Sequence, residues 1–129
     1  MSGWPDGQES PLHIHMSIPI LTIDVAHPPR HPDAVEDELL RAWSQVRNSP
    51  TLRVLKIIHG YGSSGKGGST KDIVRNWAFR NRSKFREIVD GESYSLYDAT
   101  TQEVRKGVGV YADADLGAGN AGITIVWVK

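Results

Sequence analysis

The residues most able to do chemistry fall in three short segments: Asp24 and His27 in Leu21-Thr22-Ile23-Asp24-Val25-Ala26-His27, His59 with Gly60-Tyr61-Gly62 and Gly65-Lys66, and the glycine turn Gly117–Gly122. Phosphodiester cleavage needs a group that activates a nucleophile and donors for the charge that builds on phosphorus. His59 could serve as base or acid, with Asp24 orienting it or holding a metal. The amides of Gly60, Gly62 and Gly65, with Lys66, could stabilise the phosphorane in a backbone nest. Tyr61, at the tip, could stack on a base.

Two better-known uses of such a loop fit poorly. Gly60-x-x-x-x-Gly65-Lys66 starts a P-loop, but Gly67 stands where a magnesium-ligating Ser or Thr is required. Gly60-x-Gly62-x-x-Gly65 matches a dinucleotide fingerprint, yet the loop runs on through Gly68 before a helix can begin, and the chain is short for a full dinucleotide fold. At ten residues, His59–Gly68 exceeds the ~2–6 usual between strand and helix, which favours a functional loop over a simple turn.

Elements must bring these segments together. Ile20–Val25 is a near-continuous apolar run, the pattern of a strand buried on both faces. Three prolines make 27–32 a loop. Asp33 with Glu36 then reads as a helix start, and Val35, Leu39, Ala42, Trp43 and Val46 share one helical face up to Asn48-Ser49-Pro50. Leu52–Ile58 reads as a strand. Ser69 or Thr70 can cap a second helix running to about Asn81. Phe85–Val89 and Ile123–Val128 read as strands, with turn signals at 97–101 and a possible short strand at 108–111. Parallel pairing of the first two strands would carry Asp24, His27 and the glycine loop to one sheet edge, where open α/β sheets bind ligands. On a regular strand, the two residues between Asp24 and His27 place them on opposite faces unless a bulge intervenes.

With 129 residues the chain suits one domain, read as a flexible tail over 1–11 and a folded unit over 12–129. The absence of cysteine excludes disulfide scaffolds, thiol catalysis and Cys-ligated zinc, and leans towards a cytoplasmic setting. No apolar run is long enough for a membrane span, and the first ten residues lack a signal-peptide pattern. Fifteen basic and fifteen acidic residues cancel. Nucleic-acid binding must therefore come from a local patch, and residues 66–86 offer one: seven cations, Lys71 and Arg75 among them, against Asp72 alone.

In that order, the three segments resemble the motifs of the Smr (small MutS-related) domain. Ile57-Ile58-His59-Gly60-Tyr61-Gly62 is similar to its HGxG signature. Leu21–His27 resembles its LDxH motif, with two residues rather than one between Asp and His and Pro28 in place of glycine. Gly117–Val126 resembles its closing turn and strand. The resemblance implies a two-layer βαβαββ sandwich: two helices on a mixed four-stranded sheet, like the C-terminal domain of translation initiation factor three. It also implies nucleic-acid binding, DNA or RNA, and in many members endonuclease activity. Asp24, His27 and His59 would then be catalytic, and Gly60, Tyr61, Gly62, Gly65, Lys66, Lys71 and Arg75 would contact nucleic acid. If DNA is cleaved, a divalent metal such as Mg at Asp24 would activate water; if RNA, its own 2′-hydroxyl could attack. The alternatives are a non-catalytic RNA- or branched-DNA-binding module and a small-nucleotide-binding protein. A side chain at Asp24 aimed into the cleft favours an enzyme; one tied up as a loop cap favours a binder.

Overall fold

The structure is a computed structural model that describes residues 18–62 and 69–129. The expected tail, and Gly65 and Lys66 in the glycine loop, lie outside the described residues. The elements run β1 (Ile20–Asp24), α1 (Pro32–Arg47), β2 (Val54–Ile58), α2 (Thr70–Arg80), β3 (Phe85–Asp90), α3 (Ala99–Val108) and β4 (Ile123–Val128). The sheet order is β1-β2-β4-β3, with β1 parallel to β2 and β4 antiparallel to both its neighbours. The chain is thus α/β, with a mixed four-stranded sheet.

Strand alternation sorts the core. Leu55 and Ile57 of β2 and Val126 and Val128 of β4 face α1 and α2, where Val35, Leu39, Val46, Val74 and Trp77 bury the expected helical stripes. This is the two-helix layer that the sequence predicts. Val54, Ile123 and Ile125 face the other way, under α3, Tyr94 and Tyr111.

Three expectations are corrected. First, there is a third helix, so the element order is βαβαβαβ. The residues read as a turn at 97–101 are its start: the Asp98 carboxylate accepts from the amide and the hydroxyl of Thr101, both at 2.8 Å. Aspartate before threonine serves turns and N-caps alike, so local chemistry does not separate them. The stretch 108–111 forms no strand. Second, β1 is an edge strand and is half-buried rather than covered on both faces. Third, His31 rather than Asp33 caps α1, its Nδ1 accepting from the Asp33 amide at 3.1 Å, with Pro32 in the first turn. Ser69 caps α2 as expected.

One lysine secures the second layer. Lys56 on β2 points into the α3 side and is buried, with Nζ 2.7 Å from Asp113 and 2.5 Å from Asp115. Burial alone would lower its pKa, but the two carboxylates outweigh that and raise it. Tyr94 donates to Asp113 at 2.9 Å, and Asn120 donates to Asp115 at 3.1 Å. The network pins the 109–122 segment to the centre of the sheet.

Candidate functional site

The three segments converge. A cleft of about 300 Å³ at the carboxyl ends of β1 and β2 is lined by His27, Gly60, Tyr61, Asp115, Asn120 and Gly122. The parallel β1–β2 pairing, Asp24 opposite Ile58, places the two loops side by side. The β4 turn closes the floor: the Gly122 carbonyl accepts from the amides of His59 (2.9 Å) and Gly60 (3.1 Å). Gly60 and Gly62 have φ of 79° and 73°, a region that favours glycine. A Cβ at Gly62 would also press on Lys71 and Ser69 at 3.2 Å.

Asp24 ends β1, and the chain bends at once, so strand alternation does not govern His27. The side chains meet: His27 Nδ1 lies 2.9 Å from Asp24 Oδ2 and 3.1 Å from Oδ1. Oδ1 also accepts from the amides of Ala26 and His27, at 2.9 and 3.0 Å. Burial opposes ionisation of Asp24, but these two amides and the imidazole hold its carboxyl below the usual range. Arg30 braces the turn, donating to the Asp24 carbonyl at 3.1 Å and pairing with Glu38. Asp24 is therefore a loop cap and the orienting partner of His27. The His27 side chain is 71% exposed, and its Nε2 makes no hydrogen bond among the described residues.

His59 is the opposite case. It is 2% exposed, with Nδ1 2.7 Å from the Gly60 carbonyl and Nε2 2.9 Å from Thr124 Oγ1. A carbonyl can only accept, so Nδ1 carries the proton and Nε2 accepts from the Thr124 hydroxyl. That hydroxyl oxygen in turn accepts from Arg75 Nε at 3.1 Å. Burial lowers the His59 pKa; the Gly60 carbonyl works against this, and the charges of Arg75 and Lys71 reinforce it. The ring is a neutral bridge between β2 and β4. It shapes Gly60 and offers no free nitrogen, so the base-or-acid role expected for His59 does not fit its surroundings.

The expected phosphate contacts are also redistributed. The Gly60 amide is taken by Gly122. Arg75 forms a two-pronged pair with Glu92 at 2.7 and 3.1 Å, donates to the Ile123 carbonyl, and approaches Asp90 at 3.5 Å. Lys71 lies 3.5 Å from Glu92. Arg75, the larger influence, holds the Glu92 carboxyl down to about 2. Tyr61 stands clear at 68% exposure, as a stacking role requires. Among the described residues, no three His, Asp or Glu side chains converge as metal ligands. Asp24, expected as a metal holder, has its oxygens committed to its own turn and to His27.

Sequence reasoning missed Thr124, Asn120, Asp115 and Glu92. A lone threonine in the apolar run Ile123–Val128 was a usable signal for Thr124, since a buried hydroxyl needs a partner. Asn120 stood within a quoted glycine turn; its side chain accepts from the Gly122 amide at 2.8 Å. Nothing local marked Asp115 or Glu92. No helix among the described residues is long and apolar enough to cross a membrane. No family model matches the chain, and no curated protein or solved structure matches it.

Proposed function

We propose that this chain is an Smr-like nucleic-acid-binding domain, akin in its α1–α2 layer and sheet to the C-terminal domain of translation initiation factor three, that cleaves RNA at the cleft between β1, β2 and the β4 turn. The observation that carries this reading is the Asp24–His27 pair at the cleft. A carboxylate on Nδ1 fixes the proton there and leaves the Nε2 lone pair for a substrate. Nε2 takes the proton of a 2′-hydroxyl, whose oxygen attacks the adjacent phosphorus. The 5′-oxygen leaves with a proton from water, and Asp24 stabilises the imidazolium. An internal nucleophile asks only for a positioned base, which is what His27 offers. His59 acts as a positioning residue for Gly60, and Tyr61 as a stacking platform.

The test is cleavage of labelled single-stranded RNA, duplex DNA and branched DNA, each with and without chelator. RNA cleavage that survives chelator and falls at least about 100-fold in His27→Ala is expected, the usual contribution of a general base. RNA cleavage undiminished in His27→Ala overturns the assignment. Cleavage of DNA alone, lost with chelator, replaces it with metal-assisted hydrolysis.

A second reading, a non-catalytic binding module, is favoured by one observation: Asp24 caps its own turn. Retarded mobility of any substrate without cleavage would establish it.

A further inference from the structure

The end of the sheet remote from the cleft carries a charge pattern that the cleft lacks. Three segments meet there: 47–53 between α1 and β2, 80–86 between α2 and β3, and 127–129 at the end of β4. None contains Asp or Glu, and together they supply Arg47, Arg53, Arg80, Arg82, Lys84, Arg86 and Lys129. Arg80 is paired with Glu36. The other six form no ion pair with any described carboxylate.

Backbone pairing fixes the arrangement. The Val128 amide donates to the Arg53 carbonyl at 3.0 Å, and the Lys129 amide to the Lys84 carbonyl at 3.2 Å. Arg53, Lys129 and Lys84 therefore sit on neighbouring strands, about 4.8 Å apart in backbone spacing. Arg47, Arg53, Ser49 and Lys129 line a depression of about 230 Å³.

Aromatic rings hold four of these cations in place of acids. Lys84 Nζ and the Arg47 guanidinium lie 4.6 and 5.6 Å from the Trp43 ring centre. Arg82 lies 4.1 Å from Phe79, and Arg86 5.5 Å from Trp127. Arg53 donates to the carbonyls of Leu52, Pro50 and Ser49. Such contacts order a cation without neutralising it. The unmatched partner is a polyanion.

We propose that this end of the sheet binds the phosphate backbone of a nucleic acid, as a surface separate from the cleft. The five residues of β2 separate the two, so they lie about 17 Å apart. A lipid surface fits less well. Interfacial binding needs apolar side chains free to enter the bilayer; here Trp43 and Trp127 are half-buried with cations on their faces, and Phe79, though exposed, carries Arg82 on its ring. The inference does not depend on cleavage at the cleft.

The experiment measures binding of a labelled duplex RNA and a labelled single strand by fluorescence anisotropy, across about 50–200 mM salt. The variants are Arg47→Gln/Lys84→Gln/Arg86→Gln/Lys129→Gln, the pair Lys84→Gln/Arg86→Gln, and the matched pair Arg41→Gln/Lys71→Gln. Arg53 is spared because it bonds three carbonyls. The fourfold variant should bind duplex RNA at least about tenfold more weakly. Its slope of log affinity against log salt should fall by roughly two to four, near 0.9 per phosphate contact removed. The Lys84/Arg86 pair should lose more affinity than the Arg41/Lys71 pair. Circular dichroism and a thermal melt check that each variant is folded. Unchanged affinity in the fourfold variant, equal losses in the two matched pairs, or binding to phosphatidylserine vesicles without nucleic-acid binding would each overturn the proposal.

Discussion

The two ends of the sheet use their cations in opposite ways. At the cleft end, Arg75 and Lys71 meet Glu92, Asp90 lies beside them, and Arg30 meets Glu38. At the far end, five cations rest on aromatic faces and carbonyls. The comparison shows how little a net charge of zero says about a surface. It also shows how one run of sequence can serve two places. Residues 66–86 read as a single basic stretch, but α2 spans eleven of them. At 1.5 Å per residue it carries the chain about 16 Å from one end to the other. Its described part therefore starts beside the cleft, where Lys71 and Arg75 meet Glu92, and finishes where the cations meet no described carboxylate.

The contrast can be broken most strongly at Arg75. Arg75→Met removes four hydrogen bonds and leaves the Ile123 carbonyl, Thr124 and Glu92 short of a donor. A loss of about 2–3 kcal/mol in urea unfolding is expected. A change below about 0.5 kcal/mol would mean that the pairing is incidental.

Acid sharpens the comparison at smaller cost. The His59 pKa is lower in the folded protein than its ordinary 6.5. The unfolded chain thus takes up the proton first, and stability present above about pH 6.5 drains away as pH falls through the folded value. Glu92 adds a second window, its contribution being lost from about 4.5 down to about 2. His59→Gln should flatten the first window alone; Arg75→Met should flatten the second and also narrow the first, because Arg75 helps lower the His59 pKa. Unfolding midpoints followed from pH 8 to pH 3 would separate them. The far end has no described titrating partner for its cations and should contribute no slope across this range.

The smallest effect is expected at the far end itself. Neutralising Arg47, Lys84, Arg86 and Lys129 should move stability by no more than about 1.5 kcal/mol, because three of them lose a cation–ring contact worth about 0.5 kcal/mol each and none loses an ion pair. A large loss would make these residues structural and would weaken the binding proposal.

Much of this was legible in the residue order. The apolar runs ending at Asp24 and Ile58, with a helical stripe between them, leave parallel pairing as the natural arrangement, and that pairing alone brings His27 beside Gly60. The long glycine loop signalled a site. Other features depend on contacts that no local pattern encodes. Glu92 lies seventeen residues from Arg75, and Asp113 lies fifty-seven from Lys56. The exposure of His27 and the burial of His59 reverse their expected roles, because β1 ends at Asp24 whereas the β4 turn folds over His59. The third helix hides behind a capping aspartate and two threonines that equally suit a turn. Gly107 further weakens its pattern, yet it is what lets Trp127 pack there: an added Cβ would come within 2.1 Å of the indole.

The Gly122 carbonyl has a consequence for motion. Because one oxygen holds the amides of both His59 and Gly60, neither can open without disturbing the same atom. Those two amides should exchange with deuterium at a common rate, set by opening of the β4 turn rather than by the glycine loop that follows them. The cleft then has one wall that moves with the core.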